Sequence, residues 1–272
     1  MFIRSFIAAS VAVVAAQPAL AQTSTSGVDT SGDRVMIGVG AANVPDYEGA
    51  DTNQWTPAAL VNGRVSGIDF WTRGTQLYVD VIPDQSGPGT KFSAGPIAGV
   101  RLNRTNKVDN LQVRALGKVD TAYELGGFVG ISRTGVITSD YDTLSARVAV
   151  VADVAGAYDS YVITPQISYL TPLSRTTAVG LSASADYVGK GYGRTYFSVT
   201  PQGSVASGLR TYDISDSGFK NVSFGIYGTQ SITGDLLHGD KHGVTSIPFG
   251  IADQIPAMVK TIADYEKLII DL

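Results

Sequence analysis

Apolar residues fall on every second position in one segment after another along this chain. From Thr177 to Tyr187, Val179, Leu181, Ala183, Ala185 and Tyr187 alternate with Gly180, Ser182, Ser184 and Asp186. A period of two sends these sets to opposite faces of a β-strand. The same pattern predicts strands over Val35–Ala41, Trp55–Val61 and a longer stretch ending in Leu77, Val79 and Val81. It continues through Phe92–Leu102, Tyr123–Ile131, Leu144–Val154, Tyr161–Tyr169, Phe197–Thr200 and Val222–Ile226. Asn62-Gly63 and Pro83 to Gly89 read as turns between them. Repeated alternation over segments of about ten residues is best satisfied by an antiparallel barrel in lipid. The expectation is an all-β transmembrane barrel of about 10–12 strands, about ten of them visible.

The polar face carries charges within the strands, at Asp80, Arg101, Glu124, Arg147, Asp153 and Asp186. Facing lipid they would be costly, so they are expected in the lumen, where opposite signs can pair. The alternative is the solvated face of a soluble sandwich. Tyr161, Tyr169 and Tyr187 sit near strand ends, where an aromatic girdle would lie. The long connections are Asn103–Val119 and Gly203–Gly218. With the N-terminus in the periplasm, strand parity places the second of these outside the cell.

The N-terminus reads as an export signal. Arg4 precedes a short apolar run from Ile7 to Ala16, and Ala19-Leu20-Ala21 is a small-x-small cleavage site. Residues 1–21 are therefore expected to be removed, leaving a barrel over 22–237 and a tail over 238–272. No later stretch reaches the roughly 18 consecutive apolar residues of a membrane helix. The 272 residues contain no cysteine and carry a formal charge of −4, with no basic stripe for nucleic acid.

Several short pieces, taken in order, carry a family resemblance. They are Pro45-Asp46-Tyr47-Glu48-Gly49, Ser93-Ala94-Gly95-Pro96, Tyr123-Glu124-Leu125-Gly126-Gly127 and Thr164-Pro165-Gln166-Ile167-Ser168-Tyr169. Pro172-Leu173-Ser174, Tyr196-Phe197-Ser198-Val199, Ser207-Gly208-Leu209 with Tyr212, and Gly218-Phe219-Lys220-Asn221-Val222 follow. Over most of residues 34–237 the chain resembles the MltA-interacting protein and outer-membrane protein V family. The resemblance implies a Gram-negative outer-membrane barrel in contact with lipid. It further implies a scaffold that holds a murein-degrading lytic transglycosylase near a murein synthase; other members are described as adhesins or antigens. A narrow pore or an adhesin is the alternative, with Arg101, Glu124, Arg147 and Asp153 lining the lumen.

The end of the chain departs from the family, whose members close with a further strand pair and a terminal aromatic residue. Here Ile255, Met258, Val259, Ile262, Leu268, Ile269 and Leu272 are spaced more like a helix, and Pro256 suits a helix start. Either the tail is a natural helical appendage or the reading frame changed near residue 238.

Catalytic chemistry finds little footing. His238 and His242, near Asp235 and Asp240, have the spacing of metal ligands on a helix, but Gly239 and Gly243 disfavour that helix and no third ligand is fixed. A solvated loop is expected. The barrel body has no histidine to act as base, and Asp153 or Glu124 is better used in a lumen ion pair. Gly189-Lys190-Gly191-Tyr192-Gly193 lacks the spacing of a phosphate loop and reads as a flexible turn. No catalytic, cofactor or metal site is expected.

A closed barrel should migrate faster on SDS gels before boiling than after. Loss of that shift, with the protein degraded or stranded in the periplasm, would show that the tail prevents assembly.

Overall fold

The computed structural model describes residues 33–83, 89–105, 108–233 and 245–256. Among these residues, eleven antiparallel strands form a single sheet in chain order. They are β1 (Arg34–Pro45), β2 (Asn53–Val65), β3 (Ile68–Arg73), β4 (Gln76–Asp80), β5 (Thr90–Arg101) and β6 (Ala122–Thr134). β7 (Thr143–Asp153), β8 (Tyr161–Pro172), β9 (Thr177–Val188), β10 (Gly218–Thr233) and β11 (Thr245–Pro256) complete it. Three short helices lie in the connections: α1 (Leu111–Ala115), α2 (Lys190–Phe197) and α3 (Pro201–Ser207).

The sheet curls on itself. Arg73 on β3 donates to Gln166 on β8 at 2.6 Å, and Trp71 on β3 meets Phe128 on β6 edge-on at 5.3 Å. Contacts between strands so far apart in the sheet order are available only on a concave inner face. The convex face is apolar and exposed: Val39 is 87 % exposed, Val129 62 % and Phe92 59 %. An apolar face left this open suits lipid rather than water. In β5 to β9 the alternation assigns the same residues to the outer face as the structure does.

Strand parity sorts the connections into two ends. One end has the Ser66-Gly67 turn and the β6–β7 and β8–β9 loops. The other has the β1–β2 loop, the β7–β8 loop and both long connections, with α1 against α3. At this second end, Tyr187 packs edge-on with Phe219 at 5.2 Å and Tyr161 begins β8, while Tyr169 lies toward the opposite end of β8.

Three local expectations are corrected. Asn62-Gly63 lies inside β2; the turn is Ser66-Gly67, both at positive φ (52° and 81°) as a primed hairpin turn requires. This register sets Arg64 against Asp69 and Val65 against Ile68, favourable cross-strand pairs that a turn at Asn62 would forgo. The stretch expected to run unbroken to Val81 is the β3–β4 hairpin, bent at Gly74-Thr75. Phe197 to Thr200 is not a strand: Phe197 ends α2, Val199 makes an isolated bridge to Tyr212, and the Thr200 hydroxyl caps α3 by accepting from Gly203 N–H at 3.0 Å, with Pro201 at the helix start.

β11 pairs with β10 and lies inside the segment set apart as a tail, so the sheet extends past residue 237. The expected helix beyond Pro256 and the signal segment 1–21 lie outside the described residues.

The β6–β7 loop is organised by one carboxylate. Asp142, fully buried, accepts the N–H groups of Val136 (2.6 Å), Ile137 (2.8 Å) and Thr138, and the Tyr169 hydroxyl at 2.8 Å. Burial pushes its carboxyl up, but these donors, Thr138 and Val136 foremost, outweigh it and hold the group well below the usual carboxylate range. Asp142→Ala should destabilise the folded barrel by about 3 kcal/mol in urea titrations. Because the folded value is depressed, this stabilisation is complete above the ordinary carboxyl range and is lost as pH falls from there through the lowered value. The variant should therefore lose less stability on acidification than the parent; equal losses would remove Asp142 from that role.

Candidate functional site

The end of the barrel that carries α2 is closed by a network of charges assembled from five connections and strands. The β1–β2 loop turns back through Asp46 N–H to Thr52 C=O at 3.1 Å, and Glu48 N–H donates to Asn103 Oδ1 at 3.2 Å. Asp46 Oδ2 accepts from Asp109 N–H at 2.7 Å, just before α1, where Asn110 accepts from Gln112 and Val113 N–H. These bonds fix the loop so that Glu48 points into the barrel mouth.

α2 lies across that mouth. Its docking depends on close approach: a Cβ on Gly189 would stand 2.2 Å from Ser160 Oγ, and one on Gly191 would stand 2.4 Å from Tyr158 C=O. The Gly189–Gly193 segment expected as a flexible turn is thus the start of a helix, packed too tightly for side chains at those positions. Tyr192 is fully buried and donates its hydroxyl to the Glu48 carboxylate, 2.7 Å from each oxygen. Burial, then the negative charge of Glu48, raises the Tyr192 hydroxyl well above its ordinary value, so it stays a donor. Tyr196 is pushed up to about 12, chiefly by burial. Arg104 donates to the Thr195 and Tyr196 carbonyls at 3.3 and 3.5 Å, at the C-terminal end of α2 where a cation is favoured.

Two cations complete the seal. Lys220 Nζ stands 2.9 Å from Glu48 Oε1 and 3.2 Å from Asp186 Oδ2, and Arg101 Nε donates to Glu124 Oε1 at 2.6 Å. Both lie over the Tyr192 ring, at 5.4 and 5.3 Å from its centre. Glu124 also accepts from Tyr158 OH at 2.8 Å and from Gln76 Nε2 at 2.9 Å; Asp186 accepts from Thr164 Oγ1 at 2.7 Å. Burial would push the Glu48 carboxyl up, but Lys220 and Arg101 outweigh it and hold it below the usual range.

Of the charges read from the alternation, Arg101, Glu124 and Asp186 meet here. Arg147 lies further along the lumen, its guanidinium over Trp71, Tyr78 and Phe128 at 5.3 to 6.0 Å. Asp80 lies in the same direction and accepts from Ile82 and Ala94 N–H, both at 3.0 Å. Asp153 turns to its own loop and accepts from Ala155, Tyr158 and Asp159 N–H. The alternation missed Glu48, Lys220, Tyr158 and Tyr192. Glu48 and Lys220 do occur in the short pieces that carry the family resemblance, where polar residues sit outside the period-two pattern. His238 and His242 lie outside the described residues.

The family model described as MltA-interacting protein MipA matches residues 37–244. The chain belongs to that family. No curated protein and no solved structure matches it. The MipA match spans all the sealing residues, from Glu48 to Lys220, and the family is one of outer-membrane proteins. No helix among the described residues is long and apolar enough to cross a membrane.

Glu48→Gln removes the carboxylate that bridges Lys220, Arg101 and the Tyr192 hydroxyl, leaving Lys220 on Asp186 and Arg101 on Glu124 but α2 without its charged acceptor. Trypsin should then cut the exposed Lys190 and Arg194 of α2 roughly tenfold faster or more in the folded protein. Tyr192→Phe, which loses one hydrogen bond to a charged group, should show a smaller increase. Unchanged cleavage in both variants would mean that Glu48 does not hold the plug.

Proposed function

We propose that the chain is a non-enzymatic outer-membrane barrel that works by interaction, as a scaffold that holds a lytic transglycosylase near a murein synthase. The family name supplies the partner class; the apolar convex face suits lipid. The observation that favours interaction over conduction is the sealed mouth, where Tyr192 is fully buried among Glu48, Lys220 and Arg101. A strand barrel meant to pass solute would leave water along that path.

Loop lengths supply an orientation. Outer-membrane barrels carry short turns on the periplasmic side and longer loops outside. The two longest connections, β5–β6 and β9–β10, then place the sealed end outside, and the end with the Ser66-Gly67 turn faces the periplasm, where murein enzymes act. The signal peptide expected over residues 1–21 agrees with this export route.

A second reading as an adhesin is favoured by the opposite end, where α1 and α3 pack together and leave Leu111 73 % and Val205 90 % exposed. Apolar side chains held out on a loop surface are a means of contacting other molecules.

Purified protein in planar bilayers should show no steady channels and should retain a lytic transglycosylase of the MltA type from solubilised envelopes. Steady conductance from the folded wild type would overturn the scaffold reading in favour of a pore. Silence without transglycosylase capture would favour the adhesin.

A further inference from the structure

The lumen on the side away from α2 contains a second polar site that the scaffold reading does not use. A cavity of about 130 Å³ lies among Asp69 and Trp71 on β3, Asp80 on β4, Ser132 on β6, Arg147 on β7 and Gln166 on β8. Asp69, Asp80 and Ser132 lie near the strand ends opposite the plug, and the Trp71–Tyr78–Phe128 ring cluster lies between this cavity and the Tyr192 network.

Three observations give the cavity a chemical preference. The side chain of Asn62, which also lines it, is 6 % exposed, and its Nδ2 has no hydrogen-bond partner. A buried amide N–H without an acceptor is costly, and a ligand oxygen would satisfy it. Two guanidinium groups also converge on one neutral acceptor: Arg73 donates to Gln166 Oε1 at 2.6 Å and Arg147 donates to the same oxygen at 3.0 Å. Lastly, the acidic groups nearby are engaged. Asp69 accepts from Arg64 through both oxygens, and Asp80 from two backbone N–H groups.

We propose that this cavity binds a small oxyanion, a carboxylate or phosphate group, with Arg147 and the Asn62 amide as its donors and Arg73 supplying a second positive charge. Guanidinium groups match the geometry of carboxylate and phosphate oxygens, and a partly enclosed lumen strengthens the attraction over that in water. Arg147 is held for this task from the other side, by the aromatic faces of Trp71, Tyr78 and Phe128. The cavity lies inside the lumen toward the end that the scaffold reading turns to the periplasm, and the titration reads it with no murein enzyme present, so its failure and the failure of that reading are distinguishable.

The chain's two tryptophans allow a direct test. Trp55 is exposed, so Trp55→Phe leaves Trp71, in the cavity wall beneath Arg147, as the only reporter. The full-length protein, folded in detergent, is titrated with sodium phosphate and separately with sodium acetate, chloride keeping the ionic strength constant. A saturable change in Trp71 emission is expected, weakened at least tenfold in Arg73→Gln and in Asn62→Leu and largely kept in Arg73→Lys. Saturation by phosphate alone, by acetate alone or by both assigns the group bound. Glycerol 3-phosphate as a third probe separates a lipid-derived phosphate ester, which would saturate the site, from the free ion, which alone would bind. Each variant is checked for the heat-dependent gel shift, and the two independent substitutions keep the test decisive if one fails to fold. No saturation with any probe, or equal affinity in every folded variant, overturns the site.

Discussion

A charge carried on the inner face of a curled sheet cannot turn back to bulk solvent, and in lipid it cannot turn outward either. Every such group must be matched by a partner, brought by another strand or loop or supplied by its own turn. Glu48 is the centre of that matching. It enters from the β1–β2 loop, far from any strand interior, and meets Lys220 from β10, Arg101 from β5 and Tyr192 from α2. Without it, Lys220 and Arg101 would face one another across the Tyr192 ring with only Asp186 and Glu124 to balance them. The seal, the position of α2 and the bridge from the β1–β2 loop to β10 all depend on this one carboxylate.

The remaining lumen is layered by the same logic. Below the sealed mouth, Trp71, Tyr78 and Phe128 fill the middle with rings that pack with centres 5.3 to 5.5 Å apart. Arg147 rests on those rings and extends toward Gln166, where Arg73 also arrives. Beyond them lies the polar cavity. Among the described residues the lumen holds paired charges at one end and aromatics in the middle, with the polar cavity toward the other end. This asymmetry matches the connections, since the two longest, both helix-bearing, lie at the sealed end.

Small residues set how closely these parts approach. At Gly180 the Tyr227 ring occupies the space a side chain would take, with its Cζ 2.3 Å from where a Cβ would stand. At Gly189 and Gly191 the neighbouring loop does the same. A glycine-rich stretch can thus mark tight packing as well as a turn, and a reader of the chain alone has no means to distinguish them. Asn62-Gly63 shows the same ambiguity: its composition suits a hairpin turn, but the pairing of Arg64 with Asp69 carries the strand past it to Ser66-Gly67.

The alternation by itself determined the class of fold, the strands from β5 to β9 and which of their residues face outward. It could do so because a side chain's face follows from the parity of its position, a purely local property. The same parity set Arg101, Glu124, Arg147 and Asp186 on the inner face, and the family pieces already contained Glu48 and Lys220. What the pattern left open was which charge meets which. Glu48 and Lys220 are 172 residues apart, and Arg73 and Gln166 are 93 apart. Their meeting depends on the curvature of the whole sheet and on the docking of α2. Asp153 shows the limit most clearly: it lies on the predicted face, yet its carboxylate is taken by the N–H groups of its own loop. Only the tertiary structure decided these partners, because a hydrogen bond selects the nearest donor in space, which lies across the lumen for Glu48 and within its own loop for Asp153.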